Sequence, residues 1–420
     1  MKLLFLKKKR IKIIKILKLH IALIFSIIYV FMIRNNINKL NENMFRYFQN
    51  SSKILTNNYQ PKYVSIEKEN RPETLLKGKK FIDKCLNKQI ISQKFRIVEK
   101  PKISAIIPVY NSEKTIYPSI CSIQNQNYTS YEIILINDFS SDNSSKVIQH
   151  LKEKDQRIKL INNHKNMGTL YSRNIGALMA KGEYILPLDN DDLFYLPDIF
   201  YFIIKIALKY DLDIVGFKSF RIGNYKDNIN QIYDLYNYKK YLTNIIVYQP
   251  ELSTWMISRK KRYQTHDVTI WAKCFKSKIY KNAVKKLAIK KYSVFISWAE
   301  DTIMNYIIFN IAGSFSFIDK FGIIHLHNKS TASFTMGYNI KLIGELLLLD
   351  IIYNFSKYNS NKVYVIMCAY NIKKVFRIRK FINNTNLVYF KSILNKIIND
   401  KYFSVKIKKK IRKDFLTFFK

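Results

Sequence analysis

Between residues 102 and 220 the chain alternates short apolar runs with segments whose apolar residues recur at helical spacing. Runs of four to eight apolar residues are typical of buried strands. Strands are predicted at Ile103–Val109, Glu132–Ile136, Arg157–Asn162, Glu183–Leu188 and Asp213–Phe217. Helices are predicted at Ser112–Gln124, Asp142–Lys154, Thr169–Lys181 and Leu196–Lys209. This alternation predicts an α/β fold of βαβ units with a mostly parallel, Rossmann-like sheet.

Polar residues follow three of the predicted strands, at Asn111, at Asp138 to Asp142, and at Asp189 to Asp192. The carboxyl ends of parallel strands meet at one edge of a sheet, so these loops are expected to converge. Asp189, Asp191 and Asp192 repel one another unless a cation lies among them. Oxygen-only ligands suit a hard divalent cation whose shell phosphates complete. The alternative is a solvated acidic turn that caps the next helix.

The first 100 residues have a different pattern. Residues 1–18 are rich in Lys and read as a basic cytosolic tail, and residues 19–34 are almost wholly apolar. No small residues suited to cleavage directly follow the apolar run, which favours an uncleaved signal-anchor helix. The basic flank predicts a single-pass type II protein with the rest of the chain in the lumen, in the Golgi or endoplasmic reticulum. A cleaved signal peptide and a buried core helix are the alternatives, and residues 35–100 read as a stem or linker.

Composition changes this picture only slightly. The chain has 420 residues, 48% of them hydrophobic, and a formal net charge of +42 from 72 basic and 30 acidic residues. Such a charge suits nucleic acid, anionic membrane or anionic substrates, but a compositional bias of the source genome is the preferred explanation, because the lysines are spread along the whole chain. No nucleic-acid motif accompanies the charge, so no nucleic-acid partner is expected. The four cysteines do not have metal-ligand spacing.

The rest of the chain divides into two parts. Residues 101–340 are predicted to form one domain, with a first half at 101–220 and a less regular half at 221–340. Residues 341–420 read as a helical, basic C-terminal extension. The sequence shows no series of further transmembrane spans.

Residues 102–192 resemble the nucleotide-binding half of family 2 glycosyltransferases, which have the GT-A fold. The matching motifs occur in the family's order at 107–111 (IPVYN), 136–142 (INDFSSD), 166–177 (NMGTLYSRNIGA) and 180–192 (AKGEYILPLDNDD). The likeness extends over roughly 102–340. Pro118 and Pro187 depart from the family's pattern.

The resemblance implies a role for each matching residue. The nucleotide base is expected against Pro108, Val109, Tyr110 and Asn111, with Asp138 reading its edge and Arg173 near the nucleotide. Asp189-Asn190-Asp191 matches the family's DxD motif, in which Asp189 serves the nucleotide and, with Asp191, binds Mn²⁺ or Mg²⁺. The structural alternatives are a strand-end turn for the first loop, an Asx turn for Asp138 and a solvated helix face for Arg173.

Two further motifs complete the expected site. Glu300-Asp301 resembles the family's ED motif, so Asp301 is the expected base for the acceptor hydroxyl, with Glu300 second. The alternative is a pair of acids that favour a helix N-terminus. His325 and His327 lie on one face of a predicted strand, and His327 is the better candidate for a metal ligand or diphosphate contact.

Together these features predict a metal-dependent, inverting glycosyltransferase. It would move a sugar from a nucleotide-sugar, expected to be UDP-linked, to a hydroxyl of a glycan, glycoprotein or lipid. Two alternatives stay open. One is a pseudo-enzyme that binds a nucleotide-sugar or glycan without turnover, and the other is a basic protein that binds membrane surfaces or polyanions.

Overall fold

The computed structural model describes residues 62–65, 71–87, 97–222, 233–234, 244–248, 269–287, 295–326, 337–356 and 384–399. The predicted signal-anchor at residues 19–34 lies outside these ranges, as do residues 357–383 and 400–420 of the expected C-terminal extension. Of the helices that are described, none has the length and apolarity that crossing a bilayer requires.

The strands of the described residues are β1 (Lys62–Tyr63), β2 (Ile103–Val109), β3 (Tyr131–Asn137), β4 (Ile158–Asn162), β5 (Tyr184–Pro187), β6 (Leu193–Phe194), β7 (Ile214–Ile222), β8 (Tyr233–Asp234), β9 (Ile245–Tyr248), β10 (Lys273–Lys276) and β11 (Ser314–Leu326). The helices are α1 (Arg71–Leu86), α2 (Ile116–Gln124), α3 (Ser144–Lys154), α4 (Thr169–Met179), α5 (Ile199–Lys209), α6 (Ser277–Leu287), α7 (Glu300–Ile311), α8 (Tyr338–Ser356) and α9 (Asn384–Asn399). Every strand and helix predicted between 102 and 220 is present, with shifts of a few residues at the ends.

The strands form one sheet in the order β1-β9-β11-β7-β10-β5-β2-β3-β4, with β6 beside β11 and β8 beside β7. Strands β5, β2, β3 and β4 run parallel to one another, and β11 runs parallel to β7. The other described pairings are antiparallel. The expectation of a mostly parallel sheet is therefore wrong beyond β5. The sheet is mixed because β10 inserts antiparallel between β5 and β7.

Helices cover both faces of the sheet, which gives three layers. All seven residues of β2 are buried, since side chains on alternate positions meet helices on opposite faces. Ile103, Ala105 and Ile107 share a core with helices α2, α3 and α5. Ile106 instead faces the core formed with α4, α6, α7, α8 and α9.

The two prolines that depart from the family's pattern occupy positions that tolerate them. Pro118 is the third residue of α2, where its missing N–H would have no intrahelical acceptor. Pro187 is the last residue of β5. Neither disrupts an element.

Two elements within the predicted stem pack onto the domain. Strand β1 pairs with β9. Cys85 of helix α1 is fully buried and shares a small apolar cluster with Cys121 of α2 and Leu193 of β6. Helix α1 also passes close to Tyr195, since a methyl group at Gly78 would lie 2.1 Å from its ring.

Candidate active site

The loops that follow β2, β3 and β5 lie side by side, as the sequence predicted. Val109 of β2 pairs with Asn137 of β3, so both strands end at the same level. The N–H of Asp138 then donates to the carbonyl oxygen of Val109 at 2.8 Å. Asn190 of the acidic loop donates from Nδ2 to the carbonyl oxygen of Pro108 at 3.1 Å. This edge of the sheet therefore collects the loops that carry the predicted nucleotide-binding residues.

Helix α2 holds the acidic loop from behind. The hydroxyl of Ser119 lies 3.0 Å from the carbonyl oxygen of Asn190 and 2.7 Å from that of Asp192. Since these contacts fix the backbone on both sides of Asp191, the carboxylates have a set orientation before any ligand binds.

Arg173 connects two of the predicted functional carboxylates. It lies in α4 and is 1% exposed. Its Nη2 donates to Oδ1 of Asp189 and its Nη1 to Oδ1 of Asp301, both at 2.8 Å. Burial alone would lower the pKa of Arg173, but Asp301 and Asp189 outweigh it and raise that pKa. Arg173 is thus an interior cation, and its alternative reading as a solvated helix face is wrong.

Asp301 and Glu300 occupy the first turn of α7. Their surroundings give the two carboxyl groups different pKa values. The second carboxylate oxygen of Asp301 accepts the N–H of Ile270 at 3.1 Å. Burial raises the pKa of Asp301 to about 6, while Arg173 opposes the shift. Burial and the nearby Asp301 raise the pKa of Glu300 to about 8. At neutral pH Asp301 is therefore ionised and Glu300 mostly protonated.

The acidic loop has the electrostatics of a cation site. Burial, then Asp192 and Asp189, raise the pKa of Asp191 to about 8. A divalent cation would relieve this repulsion. Among the described residues no three His, Cys, Asp or Glu side chains converge to hold a metal alone. Asp189 and Asp191 fit a cation whose remaining ligands are diphosphate oxygens and waters, the arrangement that Mg²⁺ favours.

His325 supplies a further group at this loop. Its Nδ1 lies 3.0 Å from Oδ1 of the fully buried Asp192, and its ring stacks on Trp271 with centroids 4.8 Å apart. Burial alone would lower the pKa of His325, but Asp192 raises it to about 9. The sequence singled out His327 instead, which lies outside the described residues. Because two positions separate the two imidazoles, the sequence predicted both on one strand face, and it gave no signal that His325 would pair with Asp192.

The predicted base-binding loop is exposed at its tip. Val109 is fully buried, whereas the Tyr110 side chain is 48% exposed. Asn111 follows in a left-handed conformation and accepts the N–H of Ser141 at 2.9 Å through its side chain. Phe139 is also exposed, in the adjoining loop. Two aromatic side chains therefore face solvent on neighbouring loops, a surface on which a flat base can stack.

Asp138 makes its hydrogen bonds within the protein. One carboxylate oxygen accepts from Asn163 Nδ2 at 2.7 Å and from the N–H of Met167 at 2.8 Å. The other accepts the N–H of Gly168 at 2.8 Å. The carboxylate thus fixes the loop that leads into α4, and its contact with a base edge stays a prediction.

Lys273 is a group at the site to which the sequence reading gave no role. This β10 residue is 3% exposed, and its ammonium donates to the carbonyl oxygen of Thr269 at 2.5 Å. Its charge opposes the raised pKa of Asp301. A buried Lys next to a strand Cys gave no pattern that sequence analysis could have used.

Comparison with known proteins adds the family. The sequence model described as "Glycosyl transferase family 2" matches residues 104–283. This segment carries the sequence pattern of a family 2 glycosyltransferase domain. The glycosyltransferase domain includes Asp138, Arg173, Asp189 and Asp191, while Asp301 and helix α8 lie beyond the matched residues.

Curated relatives are similar over part of the domain. An uncharacterized glycosyltransferase of Haemophilus influenzae is 46% identical over 92 residues, 22% of this chain and 37% of the relative. The Escherichia coli protein WfgD, named UDP-Glc:alpha-D-GlcNAc-diphosphoundecaprenol beta-1,3-glucosyltransferase, is 36% identical over 124 residues, 30% of this chain and 46% of the relative. The chain therefore spans less than half the length of these curated relatives.

A solved structure of Staphylococcus aureus TarS 1–349 with UDP-GlcNAc is also similar to the chain. It has 15% identity and a TM-score of 0.48, and the match covers 71% of this chain and 80% of that one.

Proposed function

We propose that this chain is an inverting glycosyltransferase that moves a sugar from a nucleotide-diphosphate donor to a hydroxyl of a lipid-linked glycan. The observation that carries the proposal is the Arg173 bridge. One buried guanidinium joins Asp189 of the DxD motif to Asp301 of the ED motif. The carboxylate of the donor-side motif and that of the acceptor-side motif therefore lie on either side of the Arg173 guanidinium.

Asp301 is the base in this proposal. A general base works best when its pKa lies near the working pH and its charged form is present. Asp301, with a pKa of about 6, meets this requirement. Glu300, with a pKa of about 8, holds its proton at neutral pH and does not. The sequence ranked Asp301 first and Glu300 second, and the local electrostatics support that order.

The reaction follows from these placements. Asp301 takes the proton of the acceptor hydroxyl, and the acceptor oxygen forms a bond to the anomeric carbon. The bond from that carbon to the diphosphate breaks on the opposite face, which inverts the configuration. Asp189 and Asp191 would hold a Mn²⁺ or Mg²⁺ ion, whose charge stabilises the departing diphosphate. Arg173 keeps Asp301 ionised and oriented until the carboxylate receives the proton.

The donor and acceptor classes come from the relatives. WfgD is named for a UDP-glucose donor and a diphosphoundecaprenol-linked acceptor. We extend this class to the present chain, with a UDP-sugar as donor and a polyprenyl-diphosphate-linked sugar as acceptor. Exposed Tyr110 and Phe139 offer the uracil base two aromatic surfaces.

The test is a screen of UDP-sugars with Mn²⁺ against a polyprenyl-diphosphate-linked GlcNAc acceptor, reading free UDP and the extended lipid. Wild-type protein should release UDP only when the acceptor is present, and Asp301→Asn should reduce release by about 10²- to 10⁴-fold, the usual contribution of a general base. UDP-sugar binding without turnover in every combination would instead identify a non-catalytic binding protein.

A further inference from the structure

The segment of residues 296–299 lies directly before Glu300 and Asp301 and contacts the start of helix α4. The N–H of Leu170 donates to the carbonyl oxygen of Ile296 at 3.2 Å. The N–H of Thr169 donates to Oγ of Ser297 at 3.1 Å. These two N–H groups belong to the first turn of the helix that carries Arg173, where backbone donors have no intrahelical partner. The segment therefore caps helix α4, which carries Arg173, and leads into helix α7, which carries Asp301.

The next residue, Trp298, is held by helix α8. Its Nε1 donates to Oε1 of Glu345 at 3.1 Å, and Glu345 is only 3% exposed. The Lys341 ammonium lies 4.8 Å from the centroid of a Trp298 ring. A methyl group at Gly344 would come within 2.2 Å of the Trp298 carbonyl oxygen, so the α8 backbone itself touches this residue. Helix α8 thus holds Trp298 by a hydrogen bond, a ring contact and a backbone contact.

The chain then turns sharply into α7. Ala299 adopts a left-handed conformation with φ 61°, which costs a residue with a Cβ about 1 kcal/mol or more. Such a conformation persists only where its surroundings impose it. The contacts on Trp298 from one side and on Ile296 and Ser297 from the other supply that restraint. Asp301 follows two residues later.

We propose that Trp298 and Glu345 are positioning residues that set Asp301 against Arg173, which makes the C-terminal helix α8 part of the catalytic unit. This inference rests on the proposed function, in which Asp301 is the base. Helix α8 lies beyond the residues that the family model matches. Glu345 acts through Trp298 and the segment that follows it, without touching substrate.

Loss of the Trp298–Glu345 hydrogen bond has a defined consequence. Without it the 298–299 turn relaxes, and Asp301 moves relative to both Arg173 and the acceptor hydroxyl. A displacement of about 1 Å in a reacting group can cost about 10²-fold in rate. We expect Glu345→Ala to lower kcat about tenfold and to leave the donor KM within about twofold. Glu345→Gln keeps an oxygen acceptor for the indole N–H and should restore most of the turnover.

The pH profile separates positioning from general loss of structure. The ionisable groups that face Asp301 are Arg173 on α4, Asp189 on the acidic loop, Lys273 on β10, Tyr280 on α6 and Glu300 on α7. Among them Arg173 acts against the raised pKa of Asp301 and touches it directly. When that contact loosens, the acid limb of kcat should move to higher pH in Glu345→Ala and in Trp298→Phe. The double variant should be no slower than Glu345→Ala alone, since both changes remove one hydrogen bond.

The experiment measures kcat, donor KM and the pH limb on the full chain for wild type, Glu345→Ala, Glu345→Gln, Trp298→Phe and the double variant of Glu345→Ala with Trp298→Phe. Asp350→Asn is the matched control, because Asp350 lies on the same helix but contacts Tyr389 and Lys396 of α9. It should keep the kcat and the pH limb of wild type. Trp298→Phe removes the same hydrogen bond but keeps an aromatic ring in place. It therefore tests the positioning role even if Glu345→Ala does not fold.

Failure of the positioning role and failure of the proposed function give different results. If wild type transfers sugar while Glu345→Ala and Trp298→Phe keep its kcat and pH limb, the positioning role is wrong and the proposed function stands. An Asp350→Asn variant with the same shifted limb would also overturn it, since any disturbance of α8 would then suffice. A wild-type chain that transfers no sugar to any acceptor tested would overturn both.

Discussion

Nη1 of Arg173 lies 2.8 Å from Oδ1 of Asp301, although 128 positions separate the two residues in the chain. The other terminal nitrogen of the same guanidinium donates to Asp189 at 2.8 Å. Because the guanidinium is planar and its donors form a rigid fork, it holds the two carboxylates at a set separation. Displacement of either carboxylate should therefore shift the guanidinium and change the position of the other carboxylate.

Arg173→Lys should keep the positive charge and lose this geometry. An ammonium is a compact charge at the end of a flexible stem and cannot hold two carboxylates at opposite ends of one plane. We expect kcat for sugar transfer to fall by about 10²-fold, within the range that misplacement of a catalytic group produces. Steady-state release of nucleoside diphosphate measures it.

The control for this prediction is Arg157→Lys. Arg157 is also buried, pairs with Asp155 at 2.9 Å and lies over the ring of Tyr131. Its replacement should reduce the free energy of unfolding and leave kcat within about twofold of wild type. An equal loss of kcat in both variants would show that the effect comes from weakened folding rather than from the bridge.

Turnover should depend on pH through Asp301. The base acts only as the carboxylate, and burial raises its pKa to about 6. The rate of sugar transfer should therefore be half-maximal near pH 6 and fall about tenfold for each further unit of acidity. A pH profile of kcat/KM for the acceptor measures this limb, because that ratio reports the pKa of the enzyme before the acceptor binds. An acid limb near pH 4, the ordinary range of an aspartate, would contradict it.

The same raised pKa has a consequence for stability. Since the folded-state pKa exceeds the unfolded value of about 3.9, this group's favourable contribution is present below that value and lost as the pH rises through 6. Asp301→Asn cannot ionise, so at pH 8 its free energy of unfolding should equal or exceed that of wild type. Urea titrations of both proteins at pH 5 and pH 8 compare them. A large loss of stability in the variant at pH 8 would show that the ionised carboxylate stabilises the fold.

The sequence anticipated the first half of the fold because its information there is local. Each strand from β2 to β5 is a short apolar run followed by polar residues, and each joins its neighbour through one helix. The antiparallel insertion of β10 has no such signature. The sequence before it, from residue 223 onward, has no regular alternation of apolar runs and helical patterns that would indicate where the next strand pairs. The prediction of a mostly parallel sheet failed at that point.

For the candidate site, the sequence supplied the residues to consider but not the contacts between them. Asp189, Asp191 and Asp301 lie in motifs, so the resemblance located them. Nothing in the sequence indicates that Arg173 would be buried between Asp189 and Asp301. These residues are far apart in the chain, and their contacts depend on the tertiary fold. The Trp298–Glu345 hydrogen bond is hidden for the same reason.

Divalent metal should bind at Asp191 and stabilise the protein together with the nucleotide. The pKa of Asp191 is raised to about 8 by burial and by Asp192 and Asp189, so a cation removes an unfavourable concentration of negative charge. With Mn²⁺ and UDP at about 100 times their dissociation constant, the folded state should gain about 2.7 kcal/mol. Thermal unfolding of wild type should show a rise in Tm that Asp191→Asn does not.

Glu183→Gln is the matched control for the metal experiment, because this exposed carboxylate pairs with Lys102. Its Tm should rise with Mn²⁺ and UDP as much as that of wild type. A full rise in Asp191→Asn would place the cation elsewhere and remove the metal role of the DxD motif.

Gly168→Ala should destabilise the protein by about 2 to 3 kcal/mol. Gly168 has φ +85°, which L residues rarely adopt, and an added Cβ would lie 2.8 Å from the carbonyl oxygen of Ile296. Backbone strain and overpacking of this kind fall within the range of severe single substitutions. Gly337→Ala is the control, since nothing lies within 4 Å of its added Cβ. Urea denaturation should show the loss in the first variant and a change of less than about 0.5 kcal/mol in the second. Equal stability of both variants would mean that the 296–299 segment moves to accommodate the added methyl group at position 168. A segment that moves so easily could not restrain Asp301.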